Sequence, residues 1–205
     1  AASQMGLPVE RLIVASNQND ILPRFFEAGT MVRETVMPSL SPSMDIQVSS
    51  NFERLLFEML DRNGAKTKSV MDEFATNGRF TLDDKAMAKA QNLFSAYRLD
   101  NSGTIAEIAS TAKNDGMLLD PHGAVGLSAA RRARADGTIS SDIPIVSLAC
   151  AHPAKFETAV ETATGTAPTL PPHMADLMTR PERMKTIPAE SGAVKALVFA
   201  QKRSP

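Results

Sequence analysis

An α/β fold with a partial, open, mainly parallel sheet, flanking helices and a helical insertion is what this 205-residue sequence predicts. Three observations carry the prediction. Short apolar runs such as Arg11–Ser16 (RLIVAS) and Ile143–Cys150 (IPIVSLAC) have the length and content of buried parallel strands. Each is followed promptly by a segment of helical period, as crossover units require. Between them, from Ser69 to Ala112, the pattern is mostly helical, which reads as an insertion at about 66–114.

The elements follow in order. AASQMG resembles a helix end stopped by Gly6, so the chain is expected to start in the middle of something. After the strand Arg11–Ser16, ILPRFFEAG predicts a short helix stopped by Gly29. Pro38 and Pro42 punctuate a loop, and Asp45–Ser49 reads as a strand. Ser50 and Glu53 have the spacing of a capping box, and Phe52, Leu55, Leu56 and Met59 form the apolar stripe of a helix ending at Gly64. LDDKAMAKAQNLFSAYRLD continues in helical pattern, and a further helix opens at a second capping box, Thr104 and Glu107. Gly116–Leu119 (GMLL) is a short strand and DPHG its turn. The next helix carries Arg131, Arg132 and Arg134 toward its C-terminal end, where cations favour the helix dipole. The strand Ile143–Cys150 turns through AHP into a helix, with Pro153 at its first position and Gly165 as its stop. Residues 166–205 form a proline-rich extension with one late helix, ESGAVKALVFAQKR, set apart from a domain over 1–165.

Composition excludes some functions. With 22 Lys+Arg against 23 Asp+Glu and no basic run, nothing favours nucleic acid or a membrane surface. No apolar run approaches membrane-spanning length, and a cytoplasmic location is expected. One cysteine forms no internal disulfide, and His122, His152 and His173 have no zinc-ligand spacing.

Ligands of open α/β sheets bind outside the carboxyl ends of the strands. Three turns qualify there: Ser49–Asn51, Asp120–Gly123 and Cys150–Pro153. Each residue has a plain reading beside a functional one. Ser49, Ser50 and Asn51 suit helix caps as well as ligand contacts. His122 and His152 suit backbone hydrogen bonding as well as acid–base work. Cys150 and His152 could be nucleophile and base, metal ligands, or a strand-to-helix corner with a small buried thiol. No glycine-rich phosphate loop, G-x-S-x-G elbow or H-E-x-x-H motif occurs.

Four stretches, GLPVERLIVASNQNDIL (6–22), SPSMDIQVSSNFERLLF (41–57), LDPHGAVG (119–126) and LACAHPAKF (148–156), together resemble the C-terminal part of the threonine synthase family. That family has the tryptophan synthase β-like fold and depends on pyridoxal 5'-phosphate. The resemblance implies conversion of O-phospho-L-homoserine and water to L-threonine and phosphate. It also implies that the Schiff-base lysine and the cofactor-phosphate loop lie in a preceding N-terminal part, so no catalytic residue is assigned here and Lys66, Lys68 and Lys155 are not candidates. The chain alone is then expected to be inactive, with that N-terminal part as its partner. By the same resemblance Cys150, where the family usually has threonine, faces the cofactor's pyridine nitrogen, and His122 sits near the ring. Asn51 and Arg54 are implied contacts of the substrate's phosphate. The alternative is a noncatalytic module of the same fold that holds a small anion or a protein.

Overall fold

The computed structural model describes residues 2–201 and forms two compact units, one ending at Thr169 and one beginning at Leu170. In the first, strand β1 (Leu12–Ser16) lies parallel to β4 (Phe94–Arg98), with Leu12 opposite Phe94 and Ser16 opposite Arg98. A smaller antiparallel pair joins β2 (Thr30–Val32) to β3 (Arg79–Thr81). Helix α1 (Ile21–Ala28) follows β1 and ends where Gly29, at φ 68°, turns the chain directly into β2. Helices α2 (Phe52–Met59), α3 (Gly64–Asn77) and α4 (Asp84–Gln91) follow, α3 packing on β3 and α2 on both α3 and α4. Helices α5 (Asn101–Asp115), α6 (Pro121–Ala135) and α7 (Glu157–Thr164) complete the unit, α6 packing on both β1 and β4.

The core is aromatic. Phe25 packs against Phe52, Phe26 and Phe80, and Phe74 meets Phe80 edge-on. Leu56, Met59 and Met31 close the cluster, so the stripe on α2 faces inward as its spacing predicts. A second, smaller cluster of Ile108, Leu119 and Ala124 joins α5 to α6, with Ala163 of α7 packed against it. The unit from Leu170 onward holds two 3-10 turns, Pro172–Met174 and Leu177–Thr179, and helix α8 (Ser191–Ala200). Lys202 and Arg203, the expected end of that helix, lie outside the described residues. Among the described residues no helix is long and apolar enough to cross a membrane.

Several expected elements differ. Phe94–Arg98, read as helical, is instead a strand of the parallel pair, because β1 offers a ladder that outweighs local propensity. Gly116–Leu119 links α5 to α6 without pairing. Asp45–Ser49 is not a strand: Asp45 bonds to side chains, and Gln47 accepts from the Glu34 amide. Ile143–Cys150 pairs with no strand among the described residues, leaving Val146 and Leu148 exposed at 83% and 73%. Neither expected capping box forms. Asn51 stands at the start of α2 without a capping bond, and α2 stops at Met59 because Asp61 and Arg62 adopt left-handed backbone (φ 56° and 58°). Gly64 opens α3 instead of ending α2, behind Asn63, whose side chain accepts from the Lys66 amide. DPHG is likewise the first turn of α6, not a loop before it.

Helix α5 is capped by Asp100, and Thr104 lies within the helix, donating to the Asp100 carbonyl. The Gly103 amide and then the Ser102 hydroxyl hold the Asp100 carboxyl below its ordinary value. A depressed folded-state value means that the cap is fully effective at neutral pH. It is lost as pH falls from the unfolded value, about 3.9, through the folded one. Protection of the Gly103 amide, its exchange relative to the intrinsic rate at each pH, is expected to fall over that range and to lose this dependence in Asp100→Asn. An identical acid response in the variant would assign the change to another group.

Candidate functional site

The carboxyl end of β1 runs directly into a buried polar network. Asn17 and Asn19 are 1% and 2% exposed, and the chain from Met37 to Asp45 is folded over them. The Asn17 amide nitrogen reaches Asp45 Oδ1 at 2.7 Å, Ser39 Oγ at 2.6 Å and Ser41 Oγ at 3.0 Å. Its oxygen accepts from the Asn19 backbone amide at 2.8 Å. Asn19 in turn donates to the Met37 carbonyl and accepts from the Met37 amide, both at 2.8 Å. Asp45 completes the clasp by accepting from the Ser39 amide at 2.9 Å. This half-buried carboxylate is met by neutral donors and needs no counter-ion on that side.

From this clasp the 3-10 turn Pro42–Met44 reaches α6, where the Ser43 amide donates to His122 Nε2 at 3.3 Å. His122 Nδ1 lies 2.8 Å from Asp120 Oδ1, and Asp120 also accepts from the His122 and Gly123 amides as the cap of α6. Accepting at Nε2 requires the tautomer with its proton on Nδ1, directed at Asp120. The imidazole also meets the Phe156 ring edge-on, with centroids 4.8 Å apart.

Phe156 ends the 3-10 turn Pro153–Phe156, which follows the Cys150 corner. The segment before this corner packs closely on α6: a methyl at Gly126 would come within 3.2 Å of Ser147 Oγ. Cys150 is exposed, not a buried corner residue, and its Sγ makes only a weak contact with the Leu148 carbonyl at 3.9 Å. His152 caps the turn, Nδ1 accepting from the Ala154 amide at 3.2 Å. It serves the corner, and no contact pairs it with Cys150 as a base would require.

Asn51 and Arg54 are brought together elsewhere. Arg54 donates to Asn51 Oδ1 at 2.6 Å, and both line a groove of about 700 Å³ walled by Leu12, Val14, Phe94 and α2. The groove takes in neither His122 nor Cys150. On its wall Glu58 is bonded to Arg62, which holds the Glu58 carboxyl below its ordinary value. Of the lysines set aside above, Lys68 is paired with Asp72 at 2.5 Å and Lys155 lies over the Phe156 ring.

The clasp around Asn17 and Asp45 escaped sequence reasoning. Its signal was present in SNQND, where two asparagines alternate directly after an apolar strand and so must find partners once buried.

Residues 123–198 match the family model described as "Threonine synthase, C-terminal". A threonine synthase of Pseudomonas aeruginosa is 46% identical over 198 residues, which is 96% of this chain and 41% of that protein. The structure of pyridoxal-phosphate-bound threonine synthase from Brucella melitensis is 43% identical with a TM-score of 0.86, covering 99% of this chain and 43% of the other. Yeast threonine synthase aligns with a TM-score of 0.82 at 34% identity, over 97% and 43% of the two chains. The chain thus spans about two fifths of the length of these relatives, and it shares with them an α/β fold that holds a small parallel sheet among many helices. Agreement of the motif order, the family model and the fold shows that the chain belongs to the threonine synthase family, as a C-terminal segment of its tryptophan synthase β-like fold.

Proposed function

We propose that the chain supplies one wall of a threonine synthase active site, in which O-phospho-L-homoserine and water become L-threonine and phosphate in the cytoplasm. The supporting observation is the junction at His122, where the Pro42–Met44 turn, the start of α6 and the segment after Cys150 meet. Pyridoxal phosphate, when bound, supplies an electron-withdrawing ring that eases proton loss from the substrate and departure of its phosphate. The residues present fit one side of that group. Cys150 has an exposed thiol with no strong partner, free to meet a pyridine nitrogen. A neutral thiol is a weak hydrogen-bond partner that leaves such a nitrogen largely unprotonated, unlike a carboxylate. His122 has both nitrogens engaged and so offers the cofactor no proton.

Arg54 is the proposed phosphate ligand. One of its five donors holds Asn51, which orients the guanidinium and leaves the others for an anion. The apolar walls of the groove would weaken competition from water. The same groove, separate from Cys150, also favours the second reading, a noncatalytic anion-binding module.

One experiment decides between them. Joining the N-terminal part of the Pseudomonas aeruginosa relative ahead of residue 1 is expected to give a polypeptide with the visible absorption of bound cofactor and phosphate release from O-phospho-L-homoserine. The 205-residue chain alone should give neither. In the joined polypeptide Cys150→Thr should retain turnover, whereas Cys150→Ala should lose roughly three- to tenfold, the effect of one hydrogen bond. Absence of both signals from the joined polypeptide, with the relative's own segment active in the same frame, would leave the noncatalytic reading. Unchanged kinetics in both Cys150 variants would remove that residue from the site.

A further inference from the structure

We propose that His122 is a positioning residue, which holds the Cys150 corner against the Pro42–Met44 turn by presenting Nε2 as a hydrogen-bond acceptor, and which carries no proton in the reaction. An acid–base imidazole needs one nitrogen open to its substrate. Neither nitrogen is open here: Nδ1 is 2.8 Å from Asp120, and Nε2 receives the Ser43 amide at 3.3 Å. The residue is only 9% exposed. Asp120 is itself committed, since the same carboxylate caps α6 through the His122 and Gly123 amides. A methyl group at Gly123 would come within 2.9 Å of Asp120 Oδ2, so glycine at this position leaves the carboxylate its place on the helix end.

The imidazole touches two pieces of chain far apart in sequence. On one side the turn carrying Ser43 lies between Ser41 and Asp45, both fixed to Asn17 in the clasp at the end of β1. On the other, Phe156 packs on the imidazole and ends the turn that begins three residues after Cys150. Displacing His122 would therefore shift the Cys150 corner relative to the strand end. That this matters for catalysis rests on the assignment of Cys150 to the cofactor side above; the mechanical connection itself does not.

Glutamine and phenylalanine at position 122 separate the possibilities. Glutamine can place a carbonyl oxygen near the location of Nε2, while phenylalanine keeps an aromatic ring against Phe156 and removes the acceptor. In the 205-residue chain His122→Phe is expected to speed exchange of the Ser43 amide by roughly three- to tenfold, and His122→Gln to leave it within about twofold of the parent. Unchanged exchange in His122→Phe overturns the proposal, as does equally fast exchange in both variants. If His122→Phe does not fold, a fast Ser43 amide in His122→Gln overturns it alone. In the joined polypeptide His122→Gln should keep turnover within about threefold, and His122→Phe should lose more. Equal loss in both would show that the imidazole itself reacts. An inactive joined polypeptide with the expected Ser43 exchange would sink the enzyme reading and leave the positioning role in place.

Discussion

Phe25→Ala is expected to cost about 3–5 kcal/mol and, in a domain whose whole stability is of order 5–15 kcal/mol, to leave a large unfolded fraction. Phe25 is fully buried at the centre of the aromatic cluster. Its ring lies 5.0 Å from Phe52, 5.6 Å from Phe26 and 5.8 Å from Phe80, centroid to centroid. These three rings come from α2, α1 and β3, so removing Phe25 deletes contacts among three elements at once. Alanine at 25 loses the transfer energy of the ring and leaves a cavity that neighbours anchored in separate elements fill poorly. Phe52 begins α2, the helix that carries Arg54, so the groove beside Arg54 should loosen with the core. Urea denaturation followed by far-UV circular dichroism checks the loss. A cost below about 1 kcal/mol, the range of ordinary surface changes, would show that the cluster is not the stabilising core.

The elements legible in the sequence were those whose signals are local. Alpha-helix α1 ends at Gly29 as expected, and α7 ends at Gly165, because a left-handed stop is written at one position. The inward stripe of α2 was legible for the same reason. Phe94–Arg98 was not, since its strand character comes from β1, some 80 positions earlier in the chain, as Leu12 opposite Phe94 illustrates. The converse holds for Ile143–Cys150: its composition suits a strand, yet a strand exists only with a neighbour, and none among the described residues pairs with it. Capping boxes misled twice because Ser50 and Thr104 have the right spacing while Asp100 supplies the stronger acceptor for α5, and Asn51 opens α2 with no capping bond.

The candidate site divides along similar lines. Asn51 and Arg54 lie one helical turn apart, and their bond follows from that spacing. His122 was found by its place after Asp120, but its partner Ser43 lies on a turn 79 positions earlier in the sequence and could not be read from DPHG. Cys150 was legible as a corner residue through Pro153, whereas its exposure depends on what packs against the preceding unpaired segment. What stayed hidden throughout was polar and long-range: the clasp joining residues 17 and 19 to residues 37–45.

Asn17→Ala is expected to destabilise the chain by about 2–4 kcal/mol, although it removes no large apolar group. The asparagine sits among four acceptor contacts of its amide nitrogen and two donor contacts of its oxygen. Two hydrogens cannot serve four acceptors at once, so the donors are shared; the oxygen, however, accepts from the Asn19 backbone amide. Alanine leaves the amide of the buried Asn19 and part of the half-buried Asp45 carboxylate unpaired, and this desolvation is the source of the loss. Asn17→Asp tests the cause. It keeps the shape but sets a second carboxylate where the amide nitrogen now lies 2.7 Å from Asp45 Oδ1. Repulsion should raise the folded-state pKa of the pair, so stability is lost as pH rises and returns as pH falls toward the ordinary carboxylate range. At neutral pH the aspartate variant should therefore be the less stable of the two, and near pH ~4 it should overtake the alanine variant. Denaturation at the two pH values measures the order; a pH-independent order would mean that water already enters the clasp. Because Ser43 lies on the segment held by Asp45, both variants should also speed Ser43 amide exchange, while the Phe25 cluster stays protected up to the unfolding transition. Loss of protection at both places together would instead mean that the clasp and the aromatic core open as one cooperative unit.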